Sequence, residues 1–254
     1  MKPNFSALKT PDQCVFALWG RIPSHIKLTF ASAVVCGLAA HLYMFTNKFT
    51  NHDDVGSLFG NSYGAASGRW LRPFVLPLSG GTSMPWLVGL MSLLCLAVVA
   101  CLTVSLLRIR RPLGCIAASA ILTTFPVVLS TFTYMYSAFA YFFSLLLAAL
   151  GAWTAVRWRW WGIALGAVSI ALSLSIYQSY LPVAAALMVG ALLLEVLDGE
   201  HSFKELFLNG VRLLSTLIAG LILYMVTVRV STGGKGLVNY MGLQDMGRIS
   251  LRDL

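Results

Sequence analysis

The sequence predicts an all-α, polytopic membrane protein of about seven transmembrane helices, with short juxtamembrane helices in its first outer loop. Three observations lead there. Of 254 residues, 58% are hydrophobic and only 11% are charged, with a mean hydropathy of +0.79; a soluble chain carries about 25% charged residues. Seven apolar stretches follow one another, most near the ~20 residues that a bilayer core requires. Basic residues gather at the ends of these stretches, so the net charge of +9 is a topology signal and implies no nucleic-acid partner.

The elements follow in order. Residues 1–27 are too polar for a signal peptide, and no small-residue cleavage site follows. Thr10 and Pro11 read as the N-cap and first-turn proline of a short helix that runs to Trp19 and is closed by Gly20. Its Val15, Phe16, Leu18 and Trp19 suit a helix lying in the membrane interface. The multispan domain covers 28–230, with spans expected near 28–46, 86–107, 113–131, 136–156, 162–178, 180–197 and 211–230. The first doubles as an uncleaved insertion signal. Pro126 falls inside the third and should kink it. Only Tyr177-Gln178-Ser179-Tyr180 divides the fifth from the sixth, and Pro182 fits the sixth span's first turn, so the two form a tight helical hairpin. Residues 198–210, with Glu200, Lys204 and Glu205 among apolar neighbours, read as a separate cytoplasmic surface helix. The tail 231–254 reads as extracytoplasmic and incomplete, the end of the front part of a longer protein; such a piece alone would be inactive.

The short loops set the orientation. Arg108, Arg110 and Arg111 lie in one, Arg157 and Arg159 in another, while the alternate short loops carry no charge. Lysines and arginines favour that side overall, eleven against seven. The positive-inside rule therefore puts the amino terminus in the cytoplasm and the long loop 47–85 outside. Trp158, Trp160 and Trp161 beside Arg157 and Arg159 read as an interfacial anchor. Cys14, Cys36, Cys95, Cys101 and Cys115 show no C-x-x-C spacing and read as small hydrophobes, not as a disulfide framework or zinc site. His41 reads as a satisfied or snorkelling histidine, not a ligand.

The outer loop concentrates the unusual chemistry. Asn51-His52-Asp53-Asp54 holds the chain's one adjacent pair of carboxylates, and Gly68-Arg69-Trp70-Leu71-Arg72 follows. Leu58, Phe59, Tyr63, Trp70, Leu71, Phe74, Val75 and Leu76 keep the segment apolar enough to lie on the membrane. Gly56, Gly60, Gly64 and Gly68 recur every four residues, a spacing that allows short helices to pack closely. Asp53 or Asp54 fits three roles: N-cap of a short helix through Val55–Gly60, partner of a metal ion or lysine using His52 or Lys48, or general base, since an apolar setting and a like charge both raise a carboxylate's pKa. Arg69 and Arg72, three apart, would share a helix face, where guanidinium forks match a lipid phosphate or anchor the interface. His52 beside two aspartates permits a divalent metal, but no ligand set is visible, so metal dependence stays open.

Four ordered stretches carry a resemblance: Asn51-His52-Asp53-Asp54; Ser67-Gly68-Arg69-Trp70-Leu71; Phe125-Pro126 through Tyr134-Met135-Tyr136 and Ala140-Tyr141; and Ile176-Tyr177-Gln178-Ser179-Tyr180-Leu181. Together they resemble the Gtr-type O-antigen glucosyltransferases, membrane glycosyltransferases that use polyprenyl-phosphate sugars. The likeness covers about residues 30–245 and corresponds to the amino-terminal portion of a full-length member. It implies a GT-C-like helical fold whose catalytic loop is 47–85, in the bacterial inner membrane. It implies transfer of a sugar, glucose in this family, from a polyprenyl-phosphate donor to a hydroxyl of a surface polysaccharide, with inversion. Mapped here, Asp53 or Asp54 would accept the hydroxyl proton; Arg69, with Arg72, would bind the departing phosphate; Tyr177 and Gln178 would meet the sugar or acceptor. One departure is Ser137-Ala138-Phe139, where the family pattern places an acidic residue soon after Tyr136; it weakens the expectation of complete acceptor or metal handling. The rival reading is a transporter or a flippase of lipid-linked sugars. Transporters place ionisable groups at mid-membrane, whereas these clusters sit at span ends.

Overall fold

A computed structural model describes residues 19–48, 51, 55, 67–158 and 160–235. Among the described residues there are helices and turns and no strands. The helices are α1 (Ser24–Thr46), the single-turn α2 (Arg72–Val75), α3 (Pro85–Leu106), α4 (Pro112–Thr124), α5 (Pro126–Phe132), α6 (Met135–Arg157), α7 (Trp160–Ile176), α8 (Leu181–Asp198) and α9 (Phe203–Ser231). A 3₁₀ turn, Leu76–Ser79, extends α2, and another, Gln178–Tyr180, leads into α8. The expected all-α, polytopic membrane class stands. Five helices are individually long and apolar enough to cross a membrane; α4 and α5 together make a sixth unit bent by 43°, and α7 is a shorter apolar helix of 17 residues.

Local signals fall where the helices begin and end. Prolines occupy the first turn of α3, α4, α5 and α8, where a missing N–H is harmless. Gly199 ends α8 in the left-handed region at φ +68°, which a residue without Cβ adopts freely. Ser202 and Glu205 form a reciprocal capping box at the start of α9. The bend in the third span comes at Phe125, held extended before Pro126 at φ −59° and ψ 141°.

Two boundary expectations need correction. Residues 198–210 do not form a separate surface helix: α8 ends at Asp198, and from Phe203 one helix of 29 residues runs unbroken to Ser231. At about 1.5 Å per residue it is about 43 Å long, longer than a hydrocarbon core of about 30 Å. At the amino terminus Gly20 does not close the short helix, because Trp19, Gly20 and Arg21 are all helical and the break comes at Pro23. Lys27 Nζ lies 5.0 Å from the Trp19 ring, a cation–π contact that folds this turn onto α1.

The helix α6 is the hub, packed against α3 on one side and α7 on the other, with α8 beside it; α1 packs on α3 and α4, and α9 on α7. The α6–α7–α9 seam is built of small residues. A Cβ at Gly151 would lie 3.1 Å from the Gly166 carbonyl, one at Gly166 3.0 Å from the Gly151 carbonyl, and one at Gly220 3.2 Å from the Ala167 carbonyl. Backbones this close exchange dispersion contacts that larger side chains would prevent. Ser144 and Ser173 reinforce the seam, each hydroxyl donating to the other's carbonyl at 2.9 and 2.7 Å. The opposite half is aromatic: Phe132 meets His41, Phe45 and Phe142 at ring separations of 4.7, 5.1 and 4.8 Å.

The connections sort into two ends. At one, Arg108 pairs with Asp198 and Arg212 donates to the Trp158 carbonyl at 3.1 Å. A cavity of about 590 Å³ there lies among Arg157, Trp158, Trp160 and Trp161. Trp160 and Trp161 are 81% and 78% exposed, which suits interfacial anchoring better than a ligand pocket. The opposite end gathers Ser67–Arg72, the start of α6, the α7–α8 turn and the end of α9.

Candidate active site

The loop segment Ser67–Arg72 is docked by its main chain. The Leu71 amide donates to the Ser175 carbonyl at 3.0 Å, in the last turn of α7, where helix carbonyls lack intrahelical partners. Trp70 Nε1 donates to Thr227 Oγ1 of α9 at 3.3 Å. Gly68 is buried and turns the chain with φ +79°, so its role is a left-handed turn and not the close packing of helices that its four-residue spacing suggested.

Arg69 and Arg72 do not share a helix face. Arg69 lies in the coil before α2, and Arg72 opens that helix; they diverge to different partners. Arg69 Nε donates to Gln178 Oε1 at 3.2 Å, and its guanidinium sits 4.9 Å from the Tyr177 ring centre. Arg72 is only 6% exposed. Its Nη2 donates to Tyr136 Oη at 3.0 Å, and the guanidinium lies 5.5 and 5.7 Å from the rings of Tyr136 and Tyr141. Its Nε has no partner among the described residues, nor has the group a carboxylate partner among them. Two aromatic faces and one phenol oxygen therefore stabilise this buried charge.

Gln178 is fully engaged. It accepts from Arg69 and gives its amide hydrogens to the Ser67 carbonyl and to Tyr224 Oη, both at 3.0 Å. To donate to the expected sugar or acceptor, the amide would have to give up one of these bonds. Its geometry is that of a brace: it ties the loop, α9 and the Arg69 side chain into one unit.

Beside Arg69 opens a cavity of about 370 Å³, within the range of small-molecule sites. Val127, Ser130 and Thr131 of α5 line one side, with Tyr134 just beyond; Tyr141 of α6 and Tyr177 and Tyr180 of the α7–α8 turn line the other. The tyrosines pack on one another, Tyr141 to Tyr177 at 4.6 Å and Tyr177 to Tyr180 at 5.3 Å. Arg69 and Tyr177 thus meet in one pocket, Arg72 is buried behind it, and Gln178 props its edge. His52, Asp53 and Asp54 lie outside the described residues. Among the described residues no three His, Cys, Asp or Glu side chains gather as metal ligands.

Sequence reasoning assigned no role to several residues that build this pocket. Tyr134, Tyr136, Tyr141 and Tyr180 lie in stretches that carried the resemblance, and their phenols interrupt runs of Ala, Leu and Phe; a buried tyrosine needs a partner for its hydroxyl. Ser130 and Thr131 gave no such signal, because Ser and Thr are ordinary in apolar helices. A family model described as "Glucosyl transferase GtrII" matches residues 42–254. No curated protein and no solved structure matches the chain.

Proposed function

Because the chain belongs to the glucosyl transferase GtrII family, we propose that it moves glucose from a polyprenyl-phosphate donor to a hydroxyl of a cell-surface glycan. The reaction takes place at the outer face of the bacterial inner membrane, with the amino terminus in the cytoplasm. The observation that carries this reading is Arg69: its guanidinium is held between Gln178 and the Tyr177 ring at the edge of a tyrosine-lined cavity. A fixed guanidinium beside aromatic faces suits a ligand with a phosphate at one end and a sugar at the other.

In the proposed mechanism Asp53 or Asp54 takes the proton from the acceptor hydroxyl as its oxygen attacks the anomeric carbon. The bond from that carbon to the donor phosphate oxygen breaks, the configuration inverts, and the phosphate leaves with the negative charge. Arg69 pairs with that charge as it develops, which lowers the barrier more than it tightens the ground state. Arg72 acts one layer back, by fixing Tyr136 and Tyr141. Tyr177 supplies ring surface, and Gln178 positions Arg69.

The test is transfer of radiolabelled glucose from polyprenyl-phosphate-glucose in membranes carrying the full-length protein. Arg69→Ala should lower kcat/KM by about 100-fold or more, the scale of one lost charge-stabilising group. Asp53→Asn combined with Asp54→Asn should abolish transfer. Unchanged transfer in the aspartate double variant would sink the base assignment, and wild-type membranes that transfer no glucose would sink the reading itself.

A further inference from the structure

We propose that the pocket wall supplied by α5, and within it Ser130 and Thr131, reads the hydroxyls of the transferred sugar while the facing tyrosines hold its ring. The inference rests on the donor reading above and adds which residues choose the sugar.

Three surfaces of different chemistry meet around the cavity. Arg69 marks one edge, and its contact with Tyr177 fixes the guanidinium relative to that ring. Tyr141, Tyr177 and Tyr180 make the second surface. Their rings stand at 46° and 67° to their neighbours, a concave set of faces against which the C–H side of a pyranose packs. Aromatic faces bury area and limit ring tilt, but they distinguish hydroxyl configurations weakly. That discrimination needs hydrogen-bonding groups on the third surface, which is α5. Missing or misplaced hydroxyls then leave those groups unsatisfied, the strongest source of small-ligand selectivity.

The hydroxyls on α5 are suited to it. Thr131 Oγ1 donates to the Val127 carbonyl at 2.8 Å, which commits its hydrogen and leaves its lone pairs to accept. Ser130 is exposed, and its hydroxyl makes no hydrogen bond among the described residues. One acceptor and one free donor–acceptor therefore stand side by side on the wall. The wall is also fixed. The 43° bend at Phe125 turns residues 126–132 away from the axis of α4, and Phe132 at the end of α5 is wholly buried against His41 and Phe142. A straight third span would carry Ser130 and Thr131 along that axis instead.

The experiment measures equilibrium binding of radiolabelled polyprenyl-phosphate-glucose and of its galactose epimer to the detergent-solubilised full-length protein, alongside glucose transfer. Wild type should bind the glucose donor more tightly. Ser130→Ala with Thr131→Val should lower the glucose-to-galactose preference by about three- to tenfold, the weight of one or two neutral hydrogen bonds. Ser130→Ala alone, at an exposed position that folding tolerates, should give part of the effect, and Ser130→Thr should restore it. A preference unchanged by the substitutions, or a wild type that binds both epimers alike or neither, overturns the proposal. A wild type that shows the substitution-sensitive preference but transfers nothing leaves the sugar wall standing and removes the transferase reading.

Discussion

His41 Nε2 lies 2.7 Å from the carbonyl oxygen of Thr123, and this bond joins α1 to the point where the third span breaks. A helix continuing through Phe125 would deliver the Val127 amide to that carbonyl. Pro126 and the extended Phe125 end that continuation, and the imidazole serves in the amide's place. Since a carbonyl only accepts, the proton sits on Nε2. The histidine expected to be a satisfied or interfacial group is satisfied at one nitrogen and wholly buried, at 1% exposure; its Nδ1 has no partner among the described residues.

His41→Ala should therefore lower stability by about 2–4 kcal/mol, from a buried carbonyl left unpaired and lost packing on Phe132. His41→Gln, which keeps an N–H donor at similar reach, should recover part of the loss. Thermal unfolding in detergent checks both; equal Tm values for His41→Ala and wild type would contradict the role.

Gln178 offers a sharper contrast. Gln178→Leu should reduce kcat/KM for the polyprenyl-phosphate-glucose donor by about tenfold, because Arg69 loses a fixed partner. Gln178→Glu keeps an acceptor for Arg69 and can accept from the Tyr224 hydroxyl, but it sets a carboxylate against the Ser67 carbonyl, so it should retain Arg69 function better than it retains stability. Steady-state kinetics and Tm measured on the same preparations separate the two effects.

The two arginines should part company in the same way. Arg69→Ala should cost less stability than Arg72→Ala, since Arg69 is half-buried at a pocket edge and Arg72 is buried. Arg72→Ala should destabilise by about 1–3 kcal/mol, as Tyr136 and Tyr141 lose the group between them. Arg72→Lys should restore little of that, because a point charge cannot reproduce a planar contact with two rings and a phenol. Matching unfolding curves for Arg69→Ala and Arg72→Ala would contradict this division.

The helix seam predicts a fourth contrast. Gly166→Val places a Cβ 2.8 Å from Thr216 Cγ2 and 3.0 Å from the Gly151 carbonyl, so α6, α7 and α9 must separate. That should lower Tm by several degrees or abolish monodisperse extraction. Gly20→Ala meets nothing within 4 Å and should be neutral; size-exclusion profiles of the two variants distinguish them.

The sequence revealed the long apolar helices and the bend at Pro126 because apolar length and a missing N–H act locally, whatever the neighbours. It misread residues 198–210 because Glu200, Lys204 and Glu205 mark a change of surroundings, and a helix can cross such a change without ending. Burial of Arg72 was illegible for a related reason: an arginine near a span end looks the same whether it anchors at the interface or stacks inward on Tyr136 and Tyr141. The pocket itself combines the first loop, α5, α6 and the α7–α8 turn, so no single stretch could announce it. Arg69 and Tyr177 were visible as chemistry; that Gln178 braces Arg69 depended on a fold bringing together residues more than a hundred positions apart.

The bond from the Leu71 amide to the Ser175 carbonyl belongs to the main chain and is indifferent to every side chain except proline at position 71. The arginine-bearing segment is mounted like a plate on a fixed socket, with one fastening that no change of side chain short of proline removes. Side chains that take no part in the seating can be exchanged on the plate, while the left-handed turn at Gly68 and the bond from Trp70 to Thr227 keep it in place.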